Sequence, residues 1–216
     1  MYQWAQPWNP LGGECPHKCS YCSSNALKQR YEAVRSKYSG PPQLYPGYPP
    51  ASDKIIFVAG QNDLFAKEIP TEWILEVLRR CHTKENKYFF QTKNPARYLD
   101  FLFDFPTGSV LCTTIETNRW YPEIMGHTPR PSERAEAMGK ITHYEKQITI
   151  EPVINFDIDE LVTLIRITKA TKINLGADSK HNHLPEPSKE KLLALIDELN
   201  KFTMIDRKSN LERLLK

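Results

Sequence analysis

The sequence predicts a parallel α/β fold, an incomplete barrel of about six βα units. Three observations carry this expectation. Short runs rich in Ile, Val, Phe and Thr recur along the chain, and segments with helical spacing separate them. The length of 216 residues suits six units better than a closed eight-unit barrel.

The elements read in order as follows. A first strand is expected near Tyr2–Ala5, just before a cysteine-rich loop. Further strands are expected at 54–60 (KIIFVAG), 87–92 (KYFFQT), 109–116 (SVLCTTIE), 147–153 (QITIEPV) and 172–177 (KINLGA), with another at 202–206 (FTMID). Most are nearly continuous in apolar or β-branched residues, the pattern of strands covered on both faces. Between them, Thr71 opens TEWILEVLRRC, where Ile74 and Leu78, and Val77 and Cys81, stand four apart. Asn94-Pro95 has an N-cap residue followed by proline at the first helical position. Ser132 opens SERAEAMGKI. Asp157 and Glu160 have capping-box spacing before Leu161, Leu164 and Ile165. Ser188 opens a helix with Leu192, Leu195, Ile196 and Leu199 on one face. Residues 36–53 hold five prolines and two glycines. They read as an irregular surface loop, with Tyr38, Tyr45 and Tyr48 as candidate lid residues.

Apolar residues make up 40% and charged residues 25%, the balance of a globular chain. A single domain over 1–216 is expected. The net charge is +3, and the tail from Lys201 to Lys216, with five basic and two acidic residues, accounts for all of it. A neutral body with a mildly basic tail is not the pattern of a dedicated nucleic-acid binder. No run approaches the ~18 apolar residues of a membrane span, and the N-terminus lacks a signal-peptide pattern. A cytoplasmic protein is expected, in which cysteines stay reduced.

The densest chemistry lies in GGECPHKCSYC at 12–22, which places Cys15, Cys19 and Cys22 at spacing C-x3-C-x2-C. A structural zinc site closes with four ligands. His17, His181 or His183 could supply a fourth, giving a zinc-stabilised module that binds nucleic acid through its tail and tyrosine-rich loop. Three cysteines on a four-iron cube would instead leave one iron open to a non-protein ligand. Cys81 and Cys112 fall in a helix and a strand and read as small buried hydrophobes.

The spacing, with Tyr21 just before the last cysteine, resembles the signature of radical S-adenosylmethionine (radical SAM) enzymes, whose cluster loop follows the first strand of a partial (βα)6 barrel. WNP (8–10), NDLF (62–65), QTKNPARY (91–98), TTIETN (113–118), ITIEPV (148–153) and LGADS (175–179) extend the likeness. In that order they resemble uncharacterised phage and bacterial radical SAM proteins distantly related to spore photoproduct lyase, over most of residues 4–200.

The resemblance implies a [4Fe-4S] cluster on Cys15, Cys19 and Cys22, with S-adenosylmethionine on the open iron. It implies reductive cleavage to a 5′-deoxyadenosyl radical that abstracts hydrogen from a substrate. An external electron donor of flavodoxin or ferredoxin type is implied too, as is a nucleotide or nucleic-acid base as first-choice substrate. The family's Gly-Gly-Glu-like motif is replaced here by Gly60-Gln61-Asn62-Asp63. Asn62 or Asp63 is therefore expected near the cofactor's amino group, or else as a turn or helix cap. Lys93 is a candidate partner for the cofactor carboxylate, and Glu116, followed by Asn118, for the ribose. Tyr21 is expected to position adenine through its backbone. Glu151, costly to bury unpaired, is expected to face the barrel mouth. Asp178 and residues 179–183 could line the substrate opening or form a polar surface loop. Spore photoproduct lyase uses a cysteine as hydrogen donor, which makes Cys112 a weak candidate. Gly12 and Gly13 are expected to let the loop turn closely around the cluster.

Overall fold

The computed structural model describes residues 4–180 and 182–216. Seven strands form one sheet in chain order: β1 Gln6–Trp8, β2 Ile55–Val58, β3 Lys87–Thr92, β4 Val110–Thr114, β5 Glu145–Ile150, β6 Lys172–Leu175 and β7 Met204–Arg207. All six neighbouring pairs are parallel. Each strand therefore lies beside the next in sequence, which requires a crossover every time.

The crossover helices cover one face of the sheet. Ile74, Val77, Leu78 and Cys81 of the helix Thr71–Cys81 pack with Ile56, Val58, Tyr88, Phe90 and Leu111. Leu161 and Ile165 of Ile158–Thr168, and Leu192, Leu195 and Ile196 of Lys189–Asn200, pack with Ile148, Ile150, Ile173 and Leu175. These two apolar clusters are the core.

The other face is covered too, as expected, but with mixed character. It carries a small apolar group, Phe57, Phe89, Val110 and Cys112. Towards β5, β6 and β7 it turns polar. Gln147 accepts from Asn174 at 3.3 Å, and Lys172 pairs with Asp206 at 2.9 Å. Higher up, Gln91 donates to Thr114 at 3.1 Å. The inner face is thus a lining more than a second core.

Several element boundaries differ from expectation. Tyr2 and Gln3 lie outside the described residues, and the first described strand is Gln6–Trp8, closer to the cysteines. After Asn94 the chain forms a 3-10 helix, Pro95–Phe101, and the Asn94 amide donates to Phe65 O instead of capping it. The helix expected at Ser132 starts at Pro131, where Glu133 accepts from the Arg130 N–H at 2.7 Å. Asp157 precedes its helix but does not cap it through its side chain. Its carboxylate takes Arg119 instead, at 2.6 and 2.8 Å. Ser188 does cap, accepting from Lys191 N at 3.3 Å.

The C-terminal residues are not a solvated tail. β7 pairs with β6, Leu211 is fully buried, and Arg213 holds Glu186 and the Asp178 carbonyl. No helix among the described residues is long and apolar enough to cross a membrane.

Candidate active site

The cysteine loop leaves β1 and is held from two sides. Its first side is the proline-rich segment. Leu11–Gly12 pairs antiparallel with Gln43–Leu44, Gly13 N donates to Lys37 O, and Glu14 N to Gly40 O. Gly13 has φ 78°, and a Cβ there would stand 2.0 Å from the Pro41 carbonyl oxygen. A Cβ on Gly12 would stand 2.2 Å from the Tyr45 ring. The two glycines therefore let the loop lie against residues 37–45, and a close turn around a cluster is not their visible role. Residues 36–53 act as a strap. Tyr38 is buried, the Lys37 ammonium lies over the Tyr38 and Tyr45 rings, and Tyr48 is exposed.

The second side is the end of β2. The Asn62 amide donates to the Gly12 and Gly13 carbonyls at 3.3 and 3.1 Å. Asp63 is buried and meets His17 Nε2 at 2.8 Å, Thr92 Oγ1 at 2.7 Å and Lys93 N at 2.8 Å. Burial would raise the Asp63 carboxyl, but His17 and these hydrogen bonds outweigh it and leave the group lowered. Both residues hold the loop with their side chains.

Cys15, Cys19 and Cys22 line a cavity of about 420 Å³. Its wall also includes Tyr21, Asn62, Asp63, Gln91, Lys93, Thr114, Thr149, Glu151, Ser179 and Lys208. Burial pushes the Cys15 and Cys19 thiols up, Cys19 to about 11. A metal that takes them as thiolates must expel those protons. Among the described residues no group of three or more His, Cys, Asp or Glu forms a ready-made metal cage. His17 is spent on Asp63, and His181 lies outside the described residues.

Glu116 is not on the cavity wall, which corrects its expected place against a ribose. It is fully buried, with Arg134 Nη1 at 2.8 Å from Oε2 and both Lys93 Nζ and Tyr21 OH on Oε1. Burial raises its carboxyl, and Arg134 and Lys93 more than reverse that, holding it well below the usual range. Tyr21 meets the network through its hydroxyl. Burial and Glu116 push that phenol well up, so it stays neutral.

Asn118 also lies off the cavity. Its amide donates to Asp157 and Glu160, and its oxygen accepts from Asp157 N at 2.8 Å. Cys112 is fully buried on the inner face, 3.4 Å from Thr149 Oγ1, and is absent from the cavity wall that Thr149 helps to form. Glu151 does face the cavity. It pairs with Lys208 of the C-terminal segment, and Asn210 donates to it at 2.9 Å. A Cβ on Gly176 would stand 2.9 Å from the Glu151 carboxyl, so this approach needs glycine. Asp178 instead orders its own loop, accepting from Lys180 N and Asn182 N.

Sequence reasoning missed Arg134, Lys208 and Asn210. A signal existed for Arg134, because helical spacing puts it beside Ala135, Ala137 and Met138, all buried in Pro131–Gly139. Nothing local marks Lys208 or Asn210.

No family model and no curated protein sequence matches this chain. Among solved structures the chain is similar to a spore photoproduct lyase double mutant with bound AdoMet and dinucleoside spore photoproduct. The TM-score is 0.64 at 13% identity, over 93% of this chain and 75% of that one. The fold is thus an α/β partial barrel of the radical SAM type. Within that class the likeness is to spore photoproduct lyase, so the resemblance read from the motifs is borne out at the level of the fold.

Proposed function

We propose that the chain is a radical SAM enzyme whose cluster is held by Cys15, Cys19 and Cys22. The observation that supports this best is the meeting of three thiols with the polar strand ends on one cavity, within this fold. Three soft sulfur donors, with the nearest histidine turned to a carboxylate, would suit an iron–sulfur cluster that leaves one iron without a protein ligand better than a closed zinc tetrahedron. When bound, the cluster and S-adenosylmethionine supply one-electron reductive cleavage to a 5′-deoxyadenosyl radical, which takes a hydrogen atom from substrate.

The protein's part is to hold and orient. Asp63 and Asn62 fix the cysteine loop, and from the cavity wall they stay the candidates beside the cofactor's amino group. Lys93 stands on the wall as partner for a carboxylate, tethered from behind by Glu116. The opposite wall, with Glu151, Lys208 and Ser179, is left for substrate. AdoMet is proposed to lie in the cavity beside the cysteines, and a nucleotide or nucleic-acid base is the first substrate to try. An external donor of flavodoxin or ferredoxin type would deliver the electron.

Anaerobic reconstitution tests the proposal. About four irons and four sulfides per chain are expected. Dithionite with AdoMet should release 5′-deoxyadenosine, and Cys19→Ala should abolish the release. A colourless protein holding one zinc would sink the reading.

A further inference from the structure

Behind the cysteine loop lies a charge arrangement of which the cofactor reading above uses only Lys93. Arg134 and Glu116 both have 0% exposure. Arg134 is anchored on carbonyls, donating to Thr114 O at 2.7 Å and Pro129 O at 2.8 Å, and its Nη1 meets Glu116 at 2.8 Å. An arginine and a glutamate would already neutralise each other. Lys93 joins the same carboxylate and also donates to Tyr21 OH at 2.6 Å. Two cations therefore share one anion. Tyr21 is a phenol and adds no charge, and Asp63, whose carboxylate bears on Cys15, meets His17 and is the same in every variant below.

The network reaches a cysteine through Tyr21 and Met125. Cys19 packs against Tyr21, and its thiol donates to the Met125 carbonyl at 3.4 Å. Arg134 Nη2 lies 3.7 Å from the sulfur of that same Met125. Arg134 and Glu116 are fully buried, where a charge acts more strongly than an exposed one, and Lys93 borders the cavity with its side chain 17% exposed.

We propose that the Arg134–Glu116–Lys93 network is a fixed excess of one positive charge that favours the reduced state of the cluster on Cys15, Cys19 and Cys22. This rests on the cluster reading above. One electron from an external low-potential donor makes the three-thiolate site one unit more negative, with no bond made or broken. A buried cation stabilises that state and raises its reduction potential. Arg134 is then a potential-setting and positioning residue. It touches no substrate.

The network offers a charge ladder. Arg134→Gln takes the excess from one to zero. Glu116→Gln raises it to two. The double variant restores one, and glutamine keeps an amide for hydrogen bonding in each case. The test is an EPR-monitored anaerobic titration of the reconstituted proteins without AdoMet, whose carboxylate would take up the Lys93 charge. At a solution potential near the wild-type midpoint, the reduced-to-oxidised ratio should fall about tenfold in Arg134→Gln and rise about tenfold in Glu116→Gln. Tenfold corresponds to about 59 mV for one electron. The double variant should return close to wild type.

Shifts of the same sign in both single variants, or no shift in Glu116→Gln, would overturn the proposal, because damage to packing has no reason to change sign with charge. If Arg134→Gln does not fold, Glu116→Gln and the double variant decide alone, the first high and the second at wild type. A wild-type protein without iron or EPR signal would remove the cluster reading and this inference together. A wild-type cluster with a flat series would remove only the inference.

Discussion

His17 Nε2 lies 2.8 Å from Asp63 Oδ2, and that contact joins the cysteine loop to the ends of β2 and β3. The same carboxylate accepts from Thr92 Oγ1, Lys93 N and Phe65 N. Asp63→Ala would leave several buried donors unpaired. The expected loss is about 2–4 kcal/mol in urea unfolding of the apo protein, with lower iron occupancy after reconstitution. A variant as stable as wild type would mean that the strap alone holds the loop.

Acid stability should report Glu116. Its folded carboxyl is lowered from the ordinary 4.5, because Arg134 and Lys93 outweigh burial. Between the two values the unfolded chain binds a proton that the folded chain does not, so stability falls as pH falls. The contribution is complete above about pH 5 and is lost progressively below it. Urea midpoints at pH 7, 5, 4 and 3 should show this decline, and Glu116→Gln should make it shallower. An unchanged slope would assign the acid sensitivity elsewhere, with Asp63, also lowered, as the next group to remove.

The five cysteines should divide three to two. Cys15→Ser, Cys19→Ser and Cys22→Ser should each lose most of the bound iron. Cys81→Ser and Cys112→Ser should keep it, because both thiols are buried away from the cavity wall. Iron content and the visible absorbance of the reconstituted proteins check this. Loss of iron in Cys112→Ser alone among the last two would bring the inner face into the site.

Two glycines separate strain from collision. Gly13 and Gly40 both have positive φ, 78° and 76°. A Cβ on Gly40 meets nothing within 4 Å, whereas on Gly13 it meets Pro41 O at 2.0 Å. Gly40→Ala should cost about 1–2 kcal/mol, the left-handed penalty alone. Gly13→Ala should cost clearly more and release the strap, read as faster proteolysis within 36–53. Equal costs would mean that the strap yields easily.

Much of the fold was legible in the sequence, because parallel strands and their helices announce themselves locally. Ile56–Val58, Tyr88–Phe90 and the Ile74/Val77/Leu78/Cys81 stripe stand where their patterns put them. The polar inner face was legible too. Gln147, Thr149 and Glu151 alternate with Ile148 and Ile150, which is the period of a strand with two unlike faces. What misled was side-chain choice of partner. Asp157 has a capping position but finds Arg119, which comes from 38 residues away. Glu116 closes a strand, as a ligand should, but points into the protein towards Arg134.

By itself the sequence determined the strand–helix alternation, the three-cysteine loop and the polar residues that end each strand. Those depend on local periodicity and spacing, which a linear chain carries in full. Only the tertiary structure decided which polar groups face the cavity and which are consumed behind it. Lys93, Glu116 and Arg134 come from three separate segments, and so do Glu151, Lys208 and Asn210's neighbour Ala177. Whether a charge is available or paired depends on distances between such segments, and no local pattern encodes those distances.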